Sequence, residues 1–212
     1  FMRNFFLGIE KRQSNKFERH VAVVYNRSNT VRGSGGSSRS AAWNIFFRNL
    51  RKDDRIYVDK TDLVFSMVQN QSRVFLTRPR RFGKSLLVST LEALFGRGLE
   101  DFQGLKIAKL WKEDKKYKVV RLDFHRLADQ LERFELNFSV HLVNAFGQFG
   151  FECEEYRLPV FLGKLSTWLS KQELGSFVLL VDEYDSPLTT SLNDNQLFTL
   201  IREDLSQFFS TI

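Results

Sequence analysis

Gly83 is followed by Lys84 and Ser85, and far downstream the apolar run Phe177-Val178-Leu179-Leu180-Val181 ends in Asp182 and Glu183. An ammonium, a hydroxyl and two carboxylates are the groups that phosphoryl transfer calls for. Lys84 can reach the outer phosphoryl oxygens and Ser85 can bind magnesium. Asp182 can hold the same ion through water, and Glu183 can orient and deprotonate an attacking water. A nucleoside triphosphate is therefore the first ligand to expect, with Mg2+ the one metal implied. The full phosphate-loop pattern asks for glycine five residues before Gly83, and Arg78 stands there instead.

Each half of this set has a plainer reading, since Gly-Lys-Ser can be a solvated basic turn and a strand can end in a solvated acidic turn. The elements around them favour chemistry. Val74, Phe75 and Leu76 read as a buried strand, and Leu86, Leu87, Leu91, Leu94 and Phe95 follow at helical spacing. Strand, loop and helix in that order surround phosphates with backbone N–H groups and a positive helix N-terminus. The residues expected to form the nucleotide loop are Arg78, Pro79, Arg80, Arg81, Phe82, Gly83, Lys84, Ser85 and Leu86. The arginines could serve phosphate, neutralise transition-state charge or touch a polyanion outside the pocket, and phosphate is the favoured reading.

Several stretches resemble the AAA-ATPase-like proteins, mostly bacterial P-loop ATPases that often carry a C-terminal nuclease-like domain of the PD-(D/E)XK type. Tyr57-Val58-Asp59-Lys60-Thr61 looks like that family's opening motif, Leu76 to Leu86 its arginine-rich phosphate loop, and Val181-Asp182-Glu183-Tyr184-Asp185-Ser186-Pro187-Leu188 its acidic strand end. Phe102-Gln103-Gly104-Leu105-Lys106-Ile107 and Val119 to Phe124 fit the pattern between them. The resemblance spans roughly residues 43–209 and implies ATP binding with hydrolysis, Glu183 and Lys84 carrying catalysis and Ser85 and Asp182 the metal. Arg78 is itself a family trait, so it does not mark a dead site. Tyr57 and Lys60 are adenine-side candidates by analogy, with a structural role as the alternative, and Asp185 supports the acidic cluster. Arg202, on the last helix, reads as a surface residue rather than a basic finger. A homo-oligomer, and nucleic acid reached through a linked nuclease-like domain, are further partners that the resemblance allows.

The expected fold is an α/β parallel sheet of P-loop NTPase type flanked by helices. Residues 1–42 are read as an N-terminal extension ending in a flexible linker around Gly33-Ser34-Gly35-Gly36-Ser37-Ser38, and 43–212 as the P-loop domain. Helices are expected from Trp43 to Leu50, through Leu63, Val64, Met67 and Val68, from Leu131 to Phe149, over 160–172 and from Leu197 to Phe209. Short strands are expected at Arg55 to Val58 and Val119 to Phe124. ATPases of this broad class place a later strand, bearing a polar sensor residue, between the phosphate-loop strand and the acidic strand; here the last helix ends the sequence, so that central spacer is expected to be missing. On that expectation the chain is a C-terminally incomplete domain, weakly active or inactive alone.

The 42% hydrophobic and 27% charged residues among 212 can bury one sizeable core. A net charge of +7 raises the alternative of a non-hydrolysing nucleotide-sensing or nucleic-acid-binding module, although much of the basic excess lies in the first 81 residues and in the loop. Cys153, the single cysteine, forms no intrachain disulfide, and His20, His125 and His141 lack zinc-ligand spacing. No run approaches a membrane span or a secretory signal, and a cytoplasmic location is expected.

Overall fold

A computed structural model describes residues 22–26, 47–69, 73–77, 82–128 and 131–212. In chain order the elements are β1 (Ala22–Asn26), α1 (Phe47–Lys52), α2 (Thr61–Gln69), β2 (Arg73–Thr77), α3 (Lys84–Arg97), α4 (Ile107–Leu110) and β3 (Lys118–Asp123). Then come α5 (Phe134–Gly147), α6 (Leu158–Leu169), β4 (Phe177–Asp182), α7 (Ser186–Thr190) and α8 (Asn195–Thr211). Two 3₁₀ turns, Phe124–Leu127 and Leu131–Arg133, join β3 to α5.

The strands form a parallel sheet in the order β2-β1-β4-β3. A parallel strand buried on both faces needs apolar side chains in succession, and all six residues of β4 are buried. Val178 and Leu180 enter a core with Val74, Leu91, Leu94, Phe95, Phe102 and Trp111, beneath α1 to α4. Phe177, Leu179 and Val181 enter the opposite core with Phe138, Leu142, Phe161, Leu165, Leu205 and Phe208, beneath α5, α6 and α8. The result is an α/β three-layer arrangement compatible with the P-loop expectation, and it delivers β2, β4 and β3 with their C-terminal ends on one edge. In such sheets ligands bind beyond that edge.

Four expectations are corrected. Arg55 to Val58 form no strand: Ile56 and Val58 are 94% and 70% exposed, so their alternation has no sheet to bury against. The long helix starts at Phe134, because Leu131–Arg133 winds as a 3₁₀ turn, and α6 runs from Leu158 to Leu169, its start set by Pro159 in the first turn. The place between β2 and β4 is not vacant: β1, from the N-terminal extension, fills it in place of the later strand expected there, pairing along its whole length with β2 and through Val23 with Leu180 of β4. The helix expected from Trp43 is described from Phe47 onward, and the glycine-serine linker lies outside the described residues.

The two resemblance motifs at 57–61 and 102–107 prove to be bonded to each other. Asp59 Oδ1 accepts from the Thr61 N–H and hydroxyl, at 2.9 and 2.6 Å, which fixes the start of α2. Asp59 Oδ2 accepts from the Lys106 N–H at 2.8 Å, and Thr61 Oγ1 accepts from the Ile107 N–H at 3.0 Å. Burial pulls the Asp59 carboxyl upward, but these hydrogen bonds outweigh it and hold the pKa below the ordinary value.

Candidate functional site

Gly83 sits at φ +74°, a left-handed conformation that costs a residue with a Cβ. Its turn admits the chain directly into α3, where the Leu87 N–H donates to the Gly83 carbonyl as the first helical bond. The N–H groups of Lys84, Ser85 and Leu86 lie ahead of that bond, at the positive end of a 14-residue helix that has no side-chain cap and no acidic residue in its first turn. A helix start left without a carboxylate of its own suits an anion from outside. Phe82 and Ser85 are exposed and Lys84 and Leu86 half-buried, while Arg78, Pro79, Arg80 and Arg81 lie outside the described residues.

The other half stands at the end of β4. Asp182 is 5% exposed, and its carboxylate accepts a hydrogen bond from the Ser85 side chain, tying the first turn of α3 to the strand end. Burial raises the Asp182 pKa; the Ser85 bond and Arg121, whose guanidinium is 3.8 Å away, act against it. Its Oδ1 is buried and accepts no hydrogen bond from the described residues. Glu183 turns the chain sharply at φ +52°, Tyr184 plugs into the core, Asp185 is fully buried, and Pro187 opens α7. Lys84 is pushed down by desolvation and upward by the carboxylates of Glu183, Asp185 and Asp182. Lys84, Ser85, Asp182, Glu183 and Asp185 are thus brought together by two elements far apart in sequence.

An orphaned, buried carboxylate oxygen beside a serine hydroxyl fits a hard divalent cation that keeps most of its water. Among the described residues no group of three or more His, Cys, Asp or Glu could hold a metal without help, so such an ion would have to share its shell with phosphate oxygens.

Residues that sequence reasoning left out of the site come from β3 and from the 3₁₀ turn that follows it. Arg121 binds Glu92 of α3 at 3.0 Å besides facing Asp182, and the His125 Nδ1 stands 3.2 Å from Glu183 Oε2. For Arg121 the signal was present: Val119 to Phe124 reads as a strand, and parallel strands end on the same edge. Tyr57 packs edge-on against Phe47 at 5.1 Å and hydrogen bonds with Thr90 of α3, contacts that serve the core.

Residues 45–212, most of the chain, match the family described as Predicted AAA-ATPase. The chain belongs to this family. It is 30% identical over 168 residues to an uncharacterized protein in the vnfD 5′ region of Azotobacter chroococcum mcd 1. That match takes in 78% of this chain and 33% of the relative, so the chain spans about a third of the relative's length. No solved structure matches. The Predicted AAA-ATPase region begins after β1, so the strand between β2 and β4 comes from outside the matched residues. Among the described residues of this Predicted AAA-ATPase no helix is long and apolar enough to cross a membrane.

Proposed function

We propose that this chain binds magnesium and ATP across the start of α3 and the end of β4, and hydrolyses the nucleotide. The observation carrying the proposal is the Ser85–Asp182 hydrogen bond, with Lys84 beside the carboxylates. Residues of the types that phosphate and magnesium chemistry uses lie together at one sheet edge, which supports the reading.

The α3 N-terminus receives the phosphates on backbone N–H groups, and Lys84 offsets charge growing on the outer phosphoryl oxygens. Ser85 and Asp182 would hold magnesium, which supplies positive charge to the phosphate oxygens when bound. Glu183 orients a water and takes its proton as the water oxygen bonds to phosphorus. The bond from that phosphorus to the bridging oxygen breaks, its electron pair leaving with ADP. A triphosphate at Lys84 would also counter the desolvation that now depresses its pKa.

Calorimetry of ATP binding with and without magnesium, on this chain and on Lys84→Ala, tests the reading, with phosphate release followed on the same samples. Magnesium-dependent binding that is lost in the variant supports it. Binding that ignores magnesium and Lys84 but weakens steeply with salt would instead support the polyanion module.

A further inference from the structure

One group at the site's edge remains unused by that mechanism, the imidazole of His125. Its backbone is held from two directions. Phe124, fully buried, packs edge-on against Phe138 of α5 at 5.4 Å, and Leu127 is buried three residues on. Between them the Asp123 Oδ1 accepts from the His125 N–H at 3.0 Å, capping the turn. The ring projected from this turn meets Glu183 at 3.2 Å.

The Glu183 side is equally constrained. Its left-handed backbone diverts the chain out of β4, and the Ser186 N–H donates to its carbonyl at 2.9 Å, closing the turn. A non-glycine residue in that region is strained, and such strain persists where the surroundings require one geometry. The pair does little for stability, because the side chains are 65% and 42% exposed and exposed ion pairs contribute little. Its effect is on direction, since a general base works only within hydrogen-bond reach of the proton it takes.

We infer that His125 is a positioning residue for the proposed hydrolysis: its Nδ1–H donates to Glu183 Oε2 and fixes the carboxylate at the site edge. His125 keeps its own proton throughout, and the water's proton goes to Glu183. This inference rests on Glu183 as the base, so its test separates the two. Steady-state ATP hydrolysis is compared for the parent chain, Glu183→Gln, His125→Ala and His125→Asn, whose amide N–H replaces the imidazole donor.

His125→Ala is expected to lower kcat by about tenfold to a hundredfold, the scale of a misplaced catalytic group. KM should stay within about twofold, since substrate binding is untouched, and His125→Asn should recover most of the loss. A His125→Ala chain with parental kcat, beside an inactive Glu183→Gln chain, overturns the inference and leaves the base assignment standing. A Glu183→Gln chain as active as the parent overturns both. The imidazole 15N spectrum needs no turnover: the His125 Nδ1 signal should move on Glu183→Gln, and an unmoved signal overturns the contact itself.

Discussion

Individual side chains at the sheet edge are held in conformations that stability alone would not choose. Glu183 at φ +52° is the clearest, and Glu183→Gly should leave the protein within about 1 kcal/mol of the parent in urea unfolding, or above it, while turnover is lost. A stability drop well beyond that would show that the carboxylate is needed for folding. Gly83 shows the reverse dependence. Among the described residues no neighbouring atom lies within 4 Å of a Cβ placed there, so Gly83→Ala should cost about 1 kcal/mol through backbone strain, read as a lowered urea midpoint. That Lys84 and Ser85 open a helix and that Asp182 ends a buried strand was legible in the sequence from the apolar runs beside them. His125 was not legible, since a single histidine has no pattern until β3 is set beside β4.

At the level of elements, the helices on the far face of the sheet carry two opposed titrations. Asp204 of α8 is raised to about 6, by burial first and then by Glu135 of α5 and Glu203. Its folded value lies above the ordinary 3.8, so the native state binds the proton more readily and stability rises as pH falls through 6 toward 4. His141 of α5 is lowered by burial, and its Nε2 accepts the Asp123 N–H at 3.3 Å. The native state therefore resists its protonation, and stability falls as pH drops below 6.5. Asp204→Asn should raise stability near pH 7.5 by about 1–2 kcal/mol, after allowance for solvent screening, and leave the His141 loss exposed on acidification. Urea midpoints at pH 5 and 7.5 would show it, and an unchanged midpoint at pH 7.5 would contradict the assignment to Asp204. These helices were legible by their apolar spacing, whereas α4 and α7 were too short to carry a period. The Arg55 to Val58 alternation misled, because alternation reports a strand only where a neighbouring strand exists to pair with it.

At the level of the whole molecule, the sheet depends on a strand that its sequence gave no reason to expect. Ala22–Asn26 lies in the extension read as undefined, and five residues without flanking pattern are a weak signal beside the run that forms β4. Pairing with β2 and β4 makes it central, so Val24→Pro, which removes a ladder N–H, should cost about 3 kcal/mol or more. Circular dichroism melting would register the loss, and magnesium-dependent ATP binding should weaken with it; an unchanged melt would show that β1 bears no weight. The same register has a consequence during synthesis. Of the four strands β1 is translated first, yet its Val23 cannot meet Leu180 until β4 has followed. At elongation speeds of about 5–20 residues per second that delay is on the order of ten seconds or more. Through that interval β1 can pair with β2 but keeps its β4-facing edge open, an unpaired strand edge that invites association with other chains before β4 arrives.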